Sequence, residues 1–151
     1  MTKDIKKENS DGQISVRVDE QNNNQVTKEE TKVGEIKIME TPKIKYEDFK
    51  KIEIKIGKIL SVERIEKSEK LLKLSVDFNE GQPRQIISGI AKYFSNPGDL
   101  ANKKCAFVTN LEPKLLMGLE SNGMILAIGG GEEPFSLFEV KEDILIGTKA
   151  K

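Results

Sequence analysis

The sequence predicts an all-β domain that follows a polar tail. Two observations lead to this prediction: residues 1–42 contain no aromatic residue, whereas residues 46–140 contain a series of short alternating or apolar segments separated by Gly, Pro and Asn. The chain has 151 residues, which is enough for one domain and a tail. We therefore expect a single β-domain over residues 43–151.

Residues 1–42 have the composition of a disordered segment. They carry nine acidic and seven basic residues, together with a run of polar amides at residues 21–25. Such a segment buries too little apolar surface to offset the entropy lost on ordering. Residues 1–42 are therefore predicted to form a flexible polar tail that ends at Pro42.

Residues 52–60 predict a long, bent first strand. Isoleucine alternates with charged residues over the first half of this segment. Gly57 then interrupts the alternation, and the adjacent Ile59 and Leu60 change its phase, as is typical of a bulge that bends a strand. A polar loop over residues 64–70 follows.

The next elements follow from the same alternation and from turn residues. Residues 72–78 alternate cleanly between apolar and polar side chains and predict a half-buried second strand. Third and fourth strands are predicted at residues 84–89 and 105–110, with a short helix and turn between them at residues 90–100, and a short helix or turn precedes the first strand at residues 46–49.

The C-terminal third completes a recognisable architecture. Residues 124–128 form a continuous apolar run and predict a fully buried fifth strand, and residues 135–140 predict an extra strand after a glycine turn. Cys105 lies within an apolar strand, which indicates a buried core thiol. Five strands, a bent first strand and a short helix between strands three and four match the five-stranded, partly open barrel called the OB-fold.

The composition argues against an enzyme. The chain has no histidine and one cysteine, so it lacks an imidazole base, a Ser-His pair and a cysteine cluster for a metal. The adjacent acidic pairs of the C-terminal third, Glu132-Glu133 and Glu142-Asp143, have neither metal-loop spacing nor a partner base. We therefore expect no catalytic residue, no metal and no other cofactor.

The sequence indicates a cytoplasmic protein. No apolar run approaches the ~20 residues that span a bilayer. The first residues lack the apolar centre of a secretory signal, and a single cysteine is in keeping with a reducing compartment.

Charges are unevenly distributed along a chain that is neutral in total. Residues 43–116 carry fifteen basic against ten acidic residues, whereas residues 117–151 carry three basic against six acidic. The basic excess covers strands and connections that usually line the ligand groove of an OB-fold. Such a groove favours a polyanion, most often a nucleic acid. Lys-rich faces also serve solubility, and charge alone leaves both readings open.

Few aromatic residues are available for base stacking. The chain has two Tyr and six Phe, and most of the Phe occupy apolar strand positions. Single-strand binders stack bases on exposed rings. Sequence-specific single-strand readout is therefore not expected, whereas recognition of a folded RNA through its backbone and shape requires fewer rings.

Residues 110–124 are predicted to form a long loop beside the fifth strand. Pro113 fixes one turn, and Gly118 and Gly123 permit positive φ or a close approach. The segment offers an amide, a hydroxyl, a lysine and a thioether, which suit a sugar-phosphate backbone. A closing loop with Met124 in the core is the other reading, and the residues alone do not separate the two.

Several separated motifs resemble one known family. Asn110-Leu111-x-Pro113, followed by Gly118-x-x-Ser121-x-Gly123-Met124, is similar to the signature of the tRNA-binding domain found at the C-terminus of methionyl-tRNA synthetase, in its detached β subunit, in stand-alone structure-specific tRNA-binding proteins and in the endothelial-monocyte-activating polypeptide. Upstream, the resemblance includes Ile56-Gly57-x-Ile59, Ser68-Glu69-Lys70-Leu71-Leu72 and Arg84-x-Ile86-x-Ser88-Gly89-Ile90, and it covers residues 46–151. Ile65-Glu66 replaces the His-Pro of many members, and Leu115-Leu116 stands where the family tends to carry a basic residue.

The resemblance implies binding to the outer corner of the tRNA L-shape without sequence specificity, in support of aminoacylation, as the β subunit or an accessory domain of methionyl-tRNA synthetase. It implies a homodimer formed around residues 46–52 and 135–146, with a synthetase catalytic subunit as a further partner. The tRNA-binding residues that it implies are Lys70, Lys73, Arg84, Ser88, Asn110, Lys114, Ser121 and Met124. The fold also resembles a dimeric bacterial protein-export chaperone that holds polypeptide in its groove, which is the alternative function.

Overall fold

A computed structural model describes residues 39–151, within which Ile44–Lys151 form one compact unit. The tail expected over residues 1–42 lies almost entirely outside the described residues and stays a prediction. Helix α1 spans Tyr46–Phe49, and the strands are β1 Ile54–Arg64, β2 Leu72–Asp77, β3 Arg84–Ser88, β4 Lys104–Val108, β5 Lys114–Leu116, β6 Leu119–Ser121, β7 Met124–Ile125, β8 Ala127–Gly130 and β9 Glu133–Leu137. Two short 3-10 helices, Ala91–Tyr93 and Pro97–Leu100, lie between β3 and β4.

Five strands form an antiparallel sheet that nearly closes into a barrel. The strand order is β3-β2-β1-β4-β7. The two ends of this sheet meet through the last residue of β6 and the residue after it: the Ile87 backbone N–H donates to Ser121 Oγ (2.9 Å), and the Asn122 N–H donates to the Gln85 carbonyl (2.9 Å). The predicted all-β, OB-like barrel, with short helices between the third and fourth strands, is confirmed.

Strand β1 bends where the sequence predicts a bulge. Its first half pairs with β4 and its second half with β2, and the register with β2 shifts between Ile59 and Ser61. The extra residue lets one strand serve both sides of the barrel. Gly57 sits at a close approach, because a Cβ there would lie 2.5 Å from a ring carbon of Phe78 and 2.6 Å from Val76.

The core lies inside the barrel and is built from alternate strand residues. Phe78 and Phe107 are buried and pack edge to face, with ring centroids 5.2 Å apart. Cys105 is fully buried among them, as predicted, and burial raises the pKa of its thiol to about 12. The largest buried side chains are Phe78, Phe107, Ile59, Leu72, Leu74, Ile86, Leu100, Val76 and Cys105.

The expectation of a loop throughout residues 110–124 is wrong, because a hairpin occupies its centre. Strands β5 and β6 pair from Lys114 with Ser121 to Leu116 with Leu119. Met117 and Gly118 connect them with φ angles of 54° and 80°, the geometry of a two-residue type I′ turn. A methionine at the first turn position lacks the Asn-Gly signal that normally marks such a hairpin, which is why the sequence pattern missed it.

The expectation of one continuous, fully buried fifth strand is also wrong. Met124 and Ile125 pair with β4, and the Leu126 N–H donates to the Ala106 carbonyl (3.0 Å); the chain then continues into β8, which pairs with β9. The residues that follow β9 return to β4 and pair with it, and the Ala106 N–H donates to the Phe138 carbonyl (3.0 Å). The apolar run is thus shared between two sheets. Its residues Met124 and Ile128 are about half exposed, so the run is not fully buried.

The C-terminal residues lie along the first half of β1. The Gly147 N–H donates to the Ile56 carbonyl (2.7 Å), the Ile56 N–H donates to the Thr148 carbonyl (2.9 Å), and the Ala150 N–H donates to the Ile54 carbonyl (2.8 Å). Together with β8 and β9, this segment supplies the additional C-terminal strand structure that the sequence predicts. No helix within residues 39–151 is long and apolar enough to cross a membrane.

Candidate nucleic-acid interface

A shallow groove of about 320 Å³ lies on the outer face of β1, β2 and β3. Its lining is mostly polar, with hydroxyl, amide, carboxylate, ammonium and guanidinium groups beside Leu74 and Pro83, and it contains no aromatic ring. The groove therefore offers hydrogen bonds and charge to a ligand but no surface for base stacking. The lining residues are Ser61, Glu63, Lys73, Leu74, Ser75, Pro83, Arg84 and Gln85.

Lys73 is the only lysine that lines this groove, and it is paired. Its Nζ lies 2.8 Å from Oε1 of Glu63, its cross-strand neighbour on β1. Lys73 is about one third exposed and Glu63 more than half exposed. The predicted tRNA-binding Lys73 is thus present in the groove with its charge compensated.

Arg84 is held by three separate parts of the domain. Its Nε and Nη2 donate to the two carboxylate oxygens of Glu80 at 2.8 Å each, and its Nη1 donates to the carbonyls of Thr109 (2.7 Å) and Asn122 (3.2 Å). The guanidinium also lies 5.3 Å from the ring centroid of Phe78. Every nitrogen of Arg84 therefore has a partner within the domain, and its role as a phosphate contact stays a prediction.

An ionic cluster next to Arg84 holds the C-terminal segment. Glu53 accepts a hydrogen bond from the Thr109 hydroxyl (2.7 Å), and its other oxygen lies 2.9 Å from Lys149 Nζ. The Thr109 hydrogen bond, followed by Lys149 and Lys55, lowers the pKa of Glu53 to about 2. The carboxyl pKa of Glu80 is lowered too, chiefly by its hydrogen bonds from Arg84. All of these contacts are made within the domain, so they hold its parts together.

Asn110 joins the end of β4 to the segment before β1. Its Oδ1 accepts from the Glu53 N–H (2.8 Å), and its Nδ2 donates to the Lys51 carbonyl (2.6 Å). Both hydrogen-bonding groups of the amide are therefore used inside the domain. Its assignment as a tRNA contact stays a prediction, and the structure adds a role in folding.

Ser121 is buried at the barrel closure, with 5% of its surface exposed. Besides accepting from the Ile87 N–H, its hydroxyl donates to the Gly123 carbonyl (3.2 Å). Gly123 has a φ of 153°, and a Cβ there would lie 3.0 Å from Ile86 and 3.1 Å from the Val108 carbonyl oxygen. The Ser-x-Gly-Met motif thus helps to close the barrel, with Ser121 buried and Met124 exposed.

Met124, on β7, is exposed, and so are apolar side chains of the β5–β6 hairpin. Met124 is 47% exposed, Met117 at the hairpin turn is 55% exposed, and Leu115 is 71% exposed. The hairpin also carries Lys114, and the exposed Leu111 precedes it in the chain. Sequence reasoning missed Met117 and Leu115, because their exposure follows from a hairpin that the pattern did not show.

Lys70 does not line the groove. It lies in the loop between β1 and β2, which contacts the first 3-10 helix. The Ser68 hydroxyl accepts hydrogen bonds from the N–H groups of Lys70 and Leu71 (3.2 Å each), which fixes the loop. The Lys70 carbonyl accepts from the Ala91 N–H (3.0 Å), so the loop is attached to the helix that carries Lys92. The predicted contact Ser88 ends β3 and is half-buried.

The comparisons with known proteins agree with this architecture. Residues 54–149 match the family model described as "Putative tRNA binding domain". The chain belongs to this tRNA-binding domain family. The match covers the barrel, both groove-lining strands β2 and β3, the β5–β6 hairpin and the C-terminal segment as far as Lys149.

Curated relatives of this tRNA-binding domain are much longer proteins. The chain is 48% identical over 115 residues to a methionine–tRNA ligase of Methanoregula boonei, covering 76% of this chain and 17% of that protein. A methionine–tRNA ligase of Listeria monocytogenes is 40% identical over 119 residues, covering 79% of this chain and 18% of the ligase. The chain thus spans about a sixth of the length of these relatives.

Two solved structures resemble the tRNA-binding domain over their entire length. A MetRS-related protein from Pyrococcus horikoshii is 33% identical, with a TM-score of 0.68 and 74% of this chain covered. The chaperone CsaA from Bacillus anthracis is 25% identical, with a TM-score of 0.64 and 73% of this chain covered. The similar structures therefore include a MetRS-related protein and a chaperone.

Proposed function

We propose that this domain binds tRNA through its backbone and folded shape, without reading its sequence, and so assists aminoacylation as the β subunit or an accessory domain of methionyl-tRNA synthetase. The observation that carries the proposal is the groove on β1, β2 and β3. Its hydroxyl, amide and ammonium groups suit ribose and phosphate, while its lack of aromatic rings gives no platform for single-stranded bases.

Lysines outside the groove that make no ion pair supply the attraction for a polyanion. Lys70, Lys92 and Lys114 make no ion pair within residues 39–151. Phosphate neutralisation by such groups releases counterions and accounts for most sequence-independent affinity. The exposed Met124 on β7 adds an apolar surface for a ribose or base face.

The domain itself is proposed to be non-catalytic. A chain without histidine has no imidazole base, and its perturbed carboxyl groups, Glu53 and Glu80, are held by internal hydrogen bonds from Thr109 and Arg84. Methionyl-tRNA synthetase is proposed as the partner because the long relatives that contain a region similar to this chain are methionine–tRNA ligases.

A homodimer is proposed from exposed apolar residues in the two segments that the family resemblance singled out. Tyr46, Phe49 and Ile52 are exposed in the first segment, and Phe138 and Leu145 in the second. Several exposed apolar side chains in two short segments are typical of a surface that a second protein copy covers. Light scattering at micromolar concentration tests the proposal, and a monomer would contradict it.

Filter binding with several purified tRNAs at two ionic strengths tests the proposed function. The affinities should be similar among tRNAs and should fall steeply as salt increases. A polypeptide-binding function is the alternative, supported by the likeness to a CsaA chaperone and by the exposed apolar hairpin residues Leu115 and Met117. Tight, salt-insensitive binding of an unfolded polypeptide, with no tRNA binding, would replace the first proposal by the second.

A further inference from the structure

Hydrogen bonds attach the end of the β5–β6 hairpin and the residue after it to β3, and one of them comes from a side chain that lines the groove. The Ile87 N–H donates to Ser121 Oγ (2.9 Å), and the Asn122 N–H donates to the Gln85 carbonyl (2.9 Å). The side-chain amide of Gln85 in turn donates to the Glu120 carbonyl (2.8 Å). Of these contacts the last lies closest to the hairpin turn, so Gln85 holds the hairpin at a point beyond its base.

The hairpin depends on such single contacts because no strand pairing joins it to the barrel. Among residues 39–151, β5 and β6 pair with each other in a separate two-stranded sheet, and β3 pairs with β2. Leu116 and Leu119 are half-buried, whereas Lys114, Leu115 and Glu120 are exposed. A two-stranded hairpin that buries few side chains has low local stability. Its orientation against the barrel is therefore set by individual contacts such as that from Gln85.

We propose that Gln85 is a positioning residue for RNA binding, which fixes the orientation of the hairpin so that Lys114 is held ready for a phosphate. The inference rests on the proposed tRNA binding. Lys114 is exposed at the start of β5, opposite Ser121, and makes no ion pair within the part of the chain that the structure describes. Gln85 belongs to the groove lining and also donates to the hairpin. The groove and Lys114 therefore act as one surface while this hydrogen bond is in place.

Preorganisation is the physical reason why this hydrogen bond should change affinity. Binding is weakened by the entropy that is lost when mobile groups become ordered in the complex. Without the Gln85 amide, the RNA itself would have to order the hairpin, and the affinity should fall about two- to tenfold. Gln85→Met removes the donor and keeps an unbranched side chain of similar length. The Glu120 carbonyl belongs to an exposed residue and can be hydrated instead, so the fold should persist.

A nitroxide label on the hairpin measures its mobility directly. Leu115→Cys provides an attachment site that is 71% exposed in the wild type, whereas Cys105, the single cysteine of the chain, is buried and does not compete for the label. The electron paramagnetic resonance spectrum should show greater mobility when Gln85→Met is added. Ser75→Ala is the matched control, because Ser75 is the strand partner of Gln85 and lines the same groove. An unchanged spectrum with Gln85→Met, or an equal change with Ser75→Ala, would overturn the positioning role.

A double-mutant cycle separates positioning from direct contact between Gln85 and RNA. The affinity for a purified tRNA is measured for the wild type, Gln85→Met, Lys114→Ala and the double variant. Lys114→Ala should weaken binding less in the Gln85→Met background than in the wild type, because the two residues act through one contact. The effects of Ser75→Ala and Lys114→Ala should instead add. Circular dichroism melting establishes that each variant is folded, and Gln85→Leu, which also lacks the donor, replaces Gln85→Met if that variant is not.

The outcomes distinguish this inference from the proposed function. Additive effects of Gln85→Met and Lys114→Ala would show that Gln85 contacts the RNA itself and would overturn the positioning role. Unchanged affinity in either single variant would overturn it as well, and tRNA binding by the wild type would remain in place. A wild-type domain that does not bind tRNA would overturn both.

Discussion

Arg84 and Glu80 are joined by two parallel hydrogen bonds of 2.8 Å, and the same guanidinium also holds the carbonyls of Thr109 and Asn122. A bidentate pair of this type has well-defined geometry and is stronger than a single contact. It connects the beginning of β3 to the end of β4 and to the residues that close the barrel. Arg84 therefore ties the start of β3, one of the groove-lining strands, to the barrel closure.

Replacing Arg84 should destabilise the domain. Arg84→Ala leaves Glu80 and two carbonyls without their donor, and we expect a loss of about 2–3 kcal/mol in the free energy of unfolding. Arg84→Lys should lose less, since it keeps the charge but not the bidentate geometry. Urea denaturation measures both, with Lys70→Ala as an exposed control expected within about 0.5 kcal/mol of wild type. Equal stability of all three variants would contradict the structural role.

Ser121→Ala should also destabilise the domain, although the side chain is small. It removes the acceptor of the buried Ile87 N–H, and an unsatisfied buried donor costs about 1–3 kcal/mol. Ser88→Ala, next to Ile87 at the end of β3, is the matched control, with an expected effect on the free energy of unfolding below about 0.5 kcal/mol. Hydrogen exchange of the Ile87 amide should accelerate selectively in Ser121→Ala, and unchanged protection would argue against the barrel-closing hydrogen bond.

Acid should weaken the domain through Glu53. Its folded pKa of about 2 lies below the ordinary value of 4.5, so its contribution is complete above the ordinary value and is lost as the pH falls from about 4.5 towards 2. With allowance for partial solvent exposure, the contribution should be about 1–2 kcal/mol. Urea denaturation between pH 7 and pH 2.5 should show a shallower pH dependence for Glu53→Gln. Glu132→Gln should retain the wild-type dependence.

Lys70→Ala should weaken tRNA binding without affecting stability. The ammonium group makes no ion pair within residues 39–151, so its full charge is available to a phosphate. The slope of log affinity against log salt should decrease in magnitude by about one when that contact is lost. Lys151→Ala at the chain end provides a control of equal charge change. Identical slopes for both variants would remove Lys70 from the binding surface.

The strands that form the barrel were predictable because each has a clear local pattern. Residues 72–78 alternate in the period of a half-buried strand, and Gly57 with Leu60 marked the bend in β1. The β5–β6 hairpin was not predictable, since Met117 occupies a positive-φ position usually taken by Asn or Gly. The division of residues 124–128 between two sheets depends on Phe138 returning to β4, a long-range contact with no local signal.

The resemblance named candidate binding residues but not the contacts that they make. The structure places Lys73 and Arg84 in the groove lining and Lys114 and Ser121 in the β5–β6 hairpin, while the binding roles stay predictions. The resemblance could not show that Arg84, Asn110 and Ser121 make internal hydrogen bonds, because those partners are distant in sequence. It also gave no indication that Glu63 faces Lys73, since this pairing follows from the register of β1 and β2.

The most direct test of shape-dependent tRNA binding compares an intact tRNA with its isolated anticodon hairpin and with an unstructured RNA of the same length, at one ionic strength. Intact tRNA should bind more tightly than either by at least about tenfold, because only the intact molecule presents the fixed phosphates of its outer corner. Equal affinity for the unstructured RNA would contradict the account.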